Sequence, residues 1–335
     1  MDSKYLKLSI IIPAYNAAPY IDKCVRSCEC QDIPLHQYEI IIVDDGSVDH
    51  TKECVFRLQQ EFQNIKYIYQ DNACQGAARN NGLRYAKGKY IWYIDADDWI
   101  NTYILQTIYR KLEKDNLTAL LVGHVKLYEE KTIHWHILDG DKICSGREIL
   151  LSGVIYNSPT YGVWNRHYLL ENELFFVEKI YHEDTEIYPR MYINAEKIGF
   201  WDKDCYFVYV SKDSTTRGAN PQRAIDVITV VRNLLCFFNT LQDAKLKEVL
   251  NHYICSTINM SLFNVYQFKK DDIKLLDKAW KNNCDLFNNL INSSIVKYRI
   301  EGWLFRLFKY RVSIVYRLLQ LFNPTPGIGK IENLD

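Results

Sequence analysis

The chain holds the segment Tyr90-Ile91-Trp92-Tyr93-Ile94-Asp95-Ala96-Asp97-Asp98-Trp99. It begins as an unbroken apolar, β-prone run and stops in three acids. Such a run, without polar alternation, reads as a strand buried on both faces, as in a parallel sheet. The carboxyl end of that strand lies at the mouth of the sheet, where open α/β folds bind ligands. Asp95 and Asp97 stand two residues apart, so extended backbone would aim both the same way. Two carboxylates so placed repel unless something positive lies between them, and a divalent cation on a phosphate meets that need. The alternative is that Asp97 or Asp98 caps a helix starting near Ile100, a job for which one acid suffices. The spacing alone leaves both readings open.

Working outward, Tyr38–Val43 is another β-branched run, and it too ends in acids, Asp44-Asp45-Gly46-Ser47, with Asp49 and Thr51 behind. Asp-Gly marks a turn and Asp49 can cap the next helix. The adjacent pair Asp44-Asp45 repels itself at a strand tip. At a ligand mouth one of the two could accept hydrogen bonds from a base or from sugar hydroxyls. Leu8–Ile12, stopped by Pro13, reads as the first strand, followed by the loop Ala14-Tyr15-Asn16 and a helix from near Tyr20. Tyr15 could stack on a flat ligand, although most of the 25 tyrosines must be core residues. Ile65–Tyr69 is a third strand. After it, Asn72-Ala73-Cys74-Gln75-Gly76-Ala77-Ala78-Arg79-Asn80-Asn81-Gly82 is a run of small residues suited to close backbone approach. The guanidinium of Arg79 suits a phosphate, an ion pair with a strand-tip acid, or both. With Leu117–Val122 as a further strand, the β-helix alternation from residue 8 to about 125 predicts an α/β, doubly wound, mostly parallel, Rossmann-like sheet. No Gly-x-Gly-x-x-Gly follows the first strand and no Gly-Lys-Ser/Thr loop exists, which disfavours dinucleotide and P-loop chemistry.

The 335 residues, 48% hydrophobic, are enough for a full core. Lys plus Arg equals Asp plus Glu at 41 each, so no overall charge draws the chain to nucleic acid. Ten cysteines at irregular spacings fit neither a zinc site nor a disulfide framework. With no signal peptide or membrane span expected, reduced thiols in the cytoplasm are the reading.

Beyond about residue 126 the rhythm breaks. The aromatic-rich segment there holds His182-Glu183-Asp184 ahead of an amphipathic stretch. Asp184 as a helix cap is the simpler account from the residues alone; a carboxylate that takes a proton from an attacking hydroxyl is the functional one. Tyr206–Val210 reads as a strand, and Ser211–Gly218 as a loop able to close over a diphosphate or merely to link. After Pro221, helices are expected over 221–242, 244–267, 271–291 and 298–322. The last is basic and aromatic-rich, suited either to an anionic membrane surface or to ordinary terminal packing.

The acidic strand tips, in their order, resemble the family 2 inverting glycosyltransferases with the GT-A fold. The residues that carry the resemblance are Ser9–Asn16, Asp44-Asp45-Gly46-Ser47 with Asp49 and Thr51, Asn72 with Ala78-Arg79-Asn80 and Gly82, and Asp95–Trp99. It is close over residues 6–125 and looser over 160–217. It implies a catalytic domain over residues 1–218, with a donor half at about 6–125 and an acceptor half at about 126–218, and a helical region over 219–335. It further implies a nucleotide-sugar donor, a UDP-sugar above others, and a glycan or lipid-linked saccharide acceptor. Pro13 and Tyr15 would border the base. Asp45 would bond to it with Asp44 beside, and Arg79 would lie near base and diphosphate. Asp95 would approach the ribose, and Asp97 would hold Mg2+ or Mn2+ on the diphosphate. Glu183-Asp184 matches the pair carrying the family's catalytic base, which falls on Asp184. Where the family usually has glycine two residues after the Asn of the third motif, this chain has Cys74, so that loop is expected to differ. The Gln-x-x-Arg-Trp signature of processive synthases is absent, which favours single addition. The enzyme is expected in the cytoplasm or at the inner face of the cell membrane, touching anionic lipid through 298–322. The competing readings are a nucleotidyltransferase, which would need a Gly-rich basic loop where Pro13–Tyr20 stands, and a non-catalytic sugar- or membrane-binding module on the same fold.

Overall fold

Seven consecutive buried residues, Leu8–Ala14, form strand β1. In the computed structural model, which describes residues 6–135, 142–210, 220–262 and 265–322, β1 is the middle of a parallel group. On one side it pairs with β2 (Tyr38–Asp45), Leu8 opposite Tyr38 and Ala14 opposite Asp44. On the other it pairs with β4 (Tyr90–Tyr93), Ile11 opposite Tyr93. β3 (Ile65–Gln70) lies outside β2, again parallel. The connections run through helices α1 (Ile21–Glu29), α2 (Thr51–Glu61) and α3 (Cys74–Tyr85). Parallel pairing with little stagger brings the carboxyl ends of β1, β2 and β4 to one edge, as the apolar runs ending in acids foretell. α3 sits close on the sheet because Gly82 has no side chain; a Cβ there would overlap the Cγ2 of Ile11.

Beyond β4 the α/β sheet is mixed, in the order β3-β2-β1-β4, then β9 (Gly162–Asn165), β6 (Ala119–Leu127), β10 (Ile198–Tyr209) and β5 (Trp99–Ile100). β9 enters antiparallel between β4 and β6, while β6 and β10 are parallel to each other. β7 (Thr132–Trp135) pairs with β6, and β8 (Ile143–Cys144) with β10, both antiparallel. The alternation along residues 8–125 therefore describes β1–β4, but β6 is kept from β4 by a strand arriving from forty residues downstream. The helix expected near Ile100 is also displaced. Trp99–Ile100 forms β5, and α4 begins later, at Leu105–Lys114. Helices α5 (Gly146–Ser152), α6 (Arg166–Glu171) and α7 (Glu183–Ile193) complete this part of the chain.

The chain divides into two compact units. The sheet unit runs to Lys179 and resumes from Ile187 through β10. The second unit takes Ile180–Glu186 and the helices that follow Pro221. These are α8 (Pro221–Thr240), α9 (Ala244–Met260), α10 (Lys270–Lys281), α11 (Asn288–Ile291), α12 (Val296–Leu307) and α13 (Val312–Phe322). Their core includes Trp280, Phe287 and Phe305, with the rings of Phe287 and Phe305 stacked at 4.2 Å. The single helix expected over 298–322 is two. Lys309 (φ 54°) and Tyr310 (φ 60°) take left-handed backbone and close α12. Of the apolar residues of 298–322, suited by sequence either to a membrane surface or to ordinary packing, Phe305, Val312 and Val315 lie fully inside this core. The loop Ser211–Gly218 lies outside the described residues. No helix among the described residues is long and apolar enough to cross a membrane.

Candidate functional site at the carboxyl edge of the parallel strands

The loops after β1 and β2 are laced together by the small polar residues of their motifs. The backbone N–H of Asn16 donates to Ser47 Oγ (2.9 Å), and Val48 N–H donates to Asn16 Oδ1 (2.9 Å). Ala17 N–H reaches Thr51 Oγ1 (2.8 Å) and Ala18 N–H reaches Asp49 Oδ2 (3.1 Å). Asp49 also accepts from Thr51 N–H (3.0 Å), the service to the start of α2 that its position predicts. Gly46 has φ 78°, and a side chain there would meet the backbone nitrogen of Asn72 at 2.9 Å. The second and third motifs thus touch through a glycine. Pro13 is buried at the end of β1, and Tyr15 stands 54% exposed on this rim.

Asp44 and Asp45 are both buried, and strand alternation turns them to different partners. Asp44 accepts from Tyr67 Oη (2.6 Å) and Ser47 N–H (2.8 Å), so both its oxygens serve the fold. Asp45 Oδ1 accepts from Gln70 Nε2 (2.7 Å) and from Ala73 N–H (2.9 Å), at the threshold of α3. Burial raises the pKa of Asp45, opposed by these hydrogen bonds. α3 opens at Cys74, which takes φ 70°, the left-handed region that glycine adopts freely. From α3 two side chains reach Asp95 Oδ1: Gln75 Nε2 at 2.7 Å and buried Arg79 Nη2 at 2.8 Å. The Arg79 guanidinium also lies over the Phe176 ring, 5.4 Å from its centre. One helix therefore couples the acid at the tip of β2 to the acids after β4.

The acids after β4 are not on extended chain, contrary to the two-residue argument. The strand ends at Tyr93, and Asp98 N–H donates to the Asp95 carbonyl at 3.0 Å, closing a turn. The turn sorts the three carboxylates. Asp98 points inward, accepting from Tyr206 Oη (2.7 Å) and Tyr209 N–H (3.2 Å). Tyr206 Oη in turn accepts from Asp95 N–H (3.0 Å), so one buried tyrosine of β10 fixes the whole turn. Asp95 faces Arg79 and Gln75. Asp97 is solvent-exposed, yet most of its surroundings are protein, and its pKa is pushed up to about 6, by desolvation first and by the Asp95 charge second. Asp98 is driven up as well, by burial and by both neighbouring acids. Tyr206, Gln75 and Gln70 carry no motif signal in the sequence.

A carboxyl group whose folded pKa lies above its unfolded value holds more protons folded than unfolded, so its contribution to stability falls as pH rises. For Asp97 that window runs from 3.8 to about 6. We expect Asp97→Asn to gain in Tm relative to the wild type, without divalent cations, as pH is raised from about 4 to about 7. A difference that stays constant with pH contradicts this electrostatic account.

The donor set suits a hard cation. Among the described residues no three His, Cys, Asp or Glu side chains converge as a metal cage. Mg2+ commonly needs only one or two carboxylates, the rest of its shell coming from water and substrate phosphates. Asp97, with Asp95 beside it, offers that number of hard oxygens. Desolvation first and the neighbouring Asp95 charge second raise the proton affinity of Asp97.

Asp184 belongs to the second unit, in the first turn of α7. Its Oδ1 accepts from Thr185 N–H at 2.7 Å, so it serves a helix N–H from inside the turn rather than from the cap position. His182, just before α7, has φ 65° and a pKa lowered to about 4, by burial first and by the charge of Arg223 second.

The model of the family described as "Glycosyl transferase family 2" matches residues 9–186, more than half the chain, a span that includes every residue above from Pro13 to Asp184. The chain is 28% identical to "Glycosyltransferase GlyA" of Streptococcus pneumoniae over 63% of its length and 32% of that protein's. It spans 32%, 63% and 48% of the first three curated relatives' own lengths. Among solved structures, residues 1–349 of S. aureus TarS in complex with UDP-GlcNAc superpose with TM-score 0.75 at 21% identity, over 93% of this chain and 92% of that one. A mannosyltransferase from Pyrobaculum calidifontis in complex with GDP-Man and Mn2+ gives TM-score 0.54 at 16% identity, over 97% and 90%. At these identities the likeness is one of fold.

Proposed function

Since the chain belongs to glycosyl transferase family 2, we propose that it moves one sugar from a nucleotide-sugar, with a UDP-sugar as donor, to a hydroxyl of a glycan or lipid-linked saccharide. The observation that carries this reading is the junction at the strand ends: Asp45 holds the start of α3, and α3 sends Arg79 and Gln75 to Asp95, beside exposed Asp97. Among the described residues the Asp97 carboxylate draws a hydrogen bond only from its own backbone, whereas a ligand that brings a cation and a diphosphate would use it.

In this reading Pro13 and Tyr15 border the base, and Asp45, supported by Asp44 and its turn, accepts a hydrogen bond from the base's ring N–H. Asp95, oriented by Arg79, approaches the ribose, and the same guanidinium adds positive charge near the diphosphate. Asp97 would hold Mg2+ or Mn2+, which when bound supplies Lewis acidity to the diphosphate leaving group. Asp184 takes the proton of the acceptor hydroxyl as its oxygen attacks the anomeric carbon from the face opposite the leaving group. A single displacement inverts the anomeric centre, and no protein nucleophile is needed. Support for a nucleotide-sugar donor comes from the UDP-GlcNAc held by TarS, and for a divalent cation from the Mn2+ of the mannosyltransferase. The reading puts the enzyme in the cytoplasm or at the inner face of the cell membrane.

A thermal-shift screen of nucleotide sugars with Mn2+ tests it. At a ligand concentration of about 100 times Kd, stabilisation is about 2.7 kcal/mol, which raises Tm by roughly 5 °C in a unit of this size. The expected result is that UDP-sugars give this shift, only with Mn2+ or Mg2+, and that ADP- and GDP-sugars give less. No shift with any nucleotide sugar contradicts the assignment.

A further inference from the structure

Helix α12 (Val296–Leu307) has two apolar faces where one is needed for folding. The inner face is buried through Phe305, Gly302 and Glu301. Gly302 lets the helix close on α11, since a Cβ there would lie 2.7 Å from the backbone nitrogen of Ile291. The outer face carries Val296, Ile300, Trp303 and Leu307, spaced by 4, 3 and 4 residues and 58%, 54%, 55% and 71% exposed. At about 100° per residue these four side chains fall within an arc of about 60°. They form a continuous apolar stripe, about 17 Å long, in water.

The charges on this helix are arranged around the stripe. Lys297 stands on one flank; Arg299 and Arg306 stand on the other, all exposed. The Arg306 guanidinium lies 5.4 Å from the Trp303 ring centre, and Arg299 Nη1 is anchored on the carbonyls of Ser293 and Ser294, each at 3.1 Å. Lys309 and Arg311, also exposed, follow the helix directly. The one acid of the segment, Glu301, is buried and accepts from Asn259 Nδ2 at 2.8 Å, so no carboxylate faces outward between 296 and 311. An apolar strip lined on both sides by cations, with a tryptophan in its middle, is complementary to an anionic lipid surface. Two copies meeting through this face would set like charges against each other on both flanks.

We propose that the outer face of α12 lies on an anionic bilayer. Val296, Ile300, Trp303 and Leu307 enter the headgroup boundary, while Lys297, Arg299 and Arg306 reach lipid phosphates. Of the apolar residues of 298–322, Trp303 and Leu307 lie on this surface, whereas Phe305, Val312 and Val315 are core residues. It also stands independently of the donor chemistry.

Flotation of the full chain with vesicles tests it. With phosphatidylcholine mixed with phosphatidylglycerol the protein is expected to float, and with phosphatidylcholine alone it is expected to stay in the dense fraction. Raised salt should weaken the binding. The double variant Ile300→Ser/Trp303→Ser should partition at least about tenfold less, because both side chains must enter the lipid. Its Tm and its Tm shift with UDP-sugars should equal the wild type's, because the changed side chains point to water. Absence of flotation on anionic vesicles overturns the proposal, as does flotation that the double variant leaves unchanged. A concentration-dependent dimer in sedimentation that the double variant abolishes, without vesicle binding, would assign the stripe to a second copy of the chain and overturn it equally.

Discussion

Asp97→Ala is expected to lower metal-dependent sugar transfer at least about a thousandfold, equivalent to about 4 kcal/mol of lost transition-state stabilisation. The size follows from how the turn after β4 divides its acids. Asp98 is committed to Tyr206 and Tyr209, and Asp95 to Arg79 and Gln75. Asp97 is left facing outward, with its pKa raised by desolvation first and by the Asp95 charge second. Asp97→Asn keeps the shape and one neutral oxygen, and should lose about a hundredfold, the deficit shrinking at saturating Mn2+. The informative feature is the opposite sign of the two readouts. At neutral pH both variants should match or exceed the wild type in Tm, because an acid held above its ordinary pKa destabilises the folded state when charged. Transfer within tenfold of the wild type for Asp97→Ala removes Asp97 from the metal role.

Asp184→Asn is expected to reduce transfer by about 10³–10⁴, the upper part of the range for a positioned general base, while leaving donor-induced stabilisation intact. The amide oxygen can still accept from Thr185 N–H, so the first turn of α7 keeps that bond and Tm should change by little. Loss of donor binding would mean that Asp184 holds the nucleotide-sugar and not the acceptor's proton. Unaltered turnover would move the base to another residue.

The strand tips and their acids were legible in the sequence because their physics is local. Apolar runs at residues 8–12, 38–43 and 90–94 had to be interior strands, and the acids that follow the last two had to meet at one edge once those strands paired in parallel. Arg79 was readable as a partner of a strand-tip acid, because a lone guanidinium among small residues needs one. What was not legible depends on contacts far apart in the chain. Asp98 looks as free as Asp97 until Tyr206, 108 residues later, donates to it. The antiparallel entry of β9 beside β4 leaves no mark on the periodicity of residues 8–125. The break between α12 and α13 rests on left-handed backbone at Lys309 and Tyr310, where neither glycine nor proline signals it. With the break unseen, the apolar residues of 298–322 could not be divided into those that build the core and those that stay outside.

A crystal structure with UDP and Mn2+ decides whether the acids at the carboxyl edge tolerate one another because a cation-bridged nucleoside diphosphate belongs among them. The account predicts Mn2+ bound to an Asp97 oxygen at about 2.1 Å, the diphosphate on its far side, and the uracil ring against Asp45. Mn2+ and diphosphate bound elsewhere, with Asp95 and Asp97 touching neither, would contradict it.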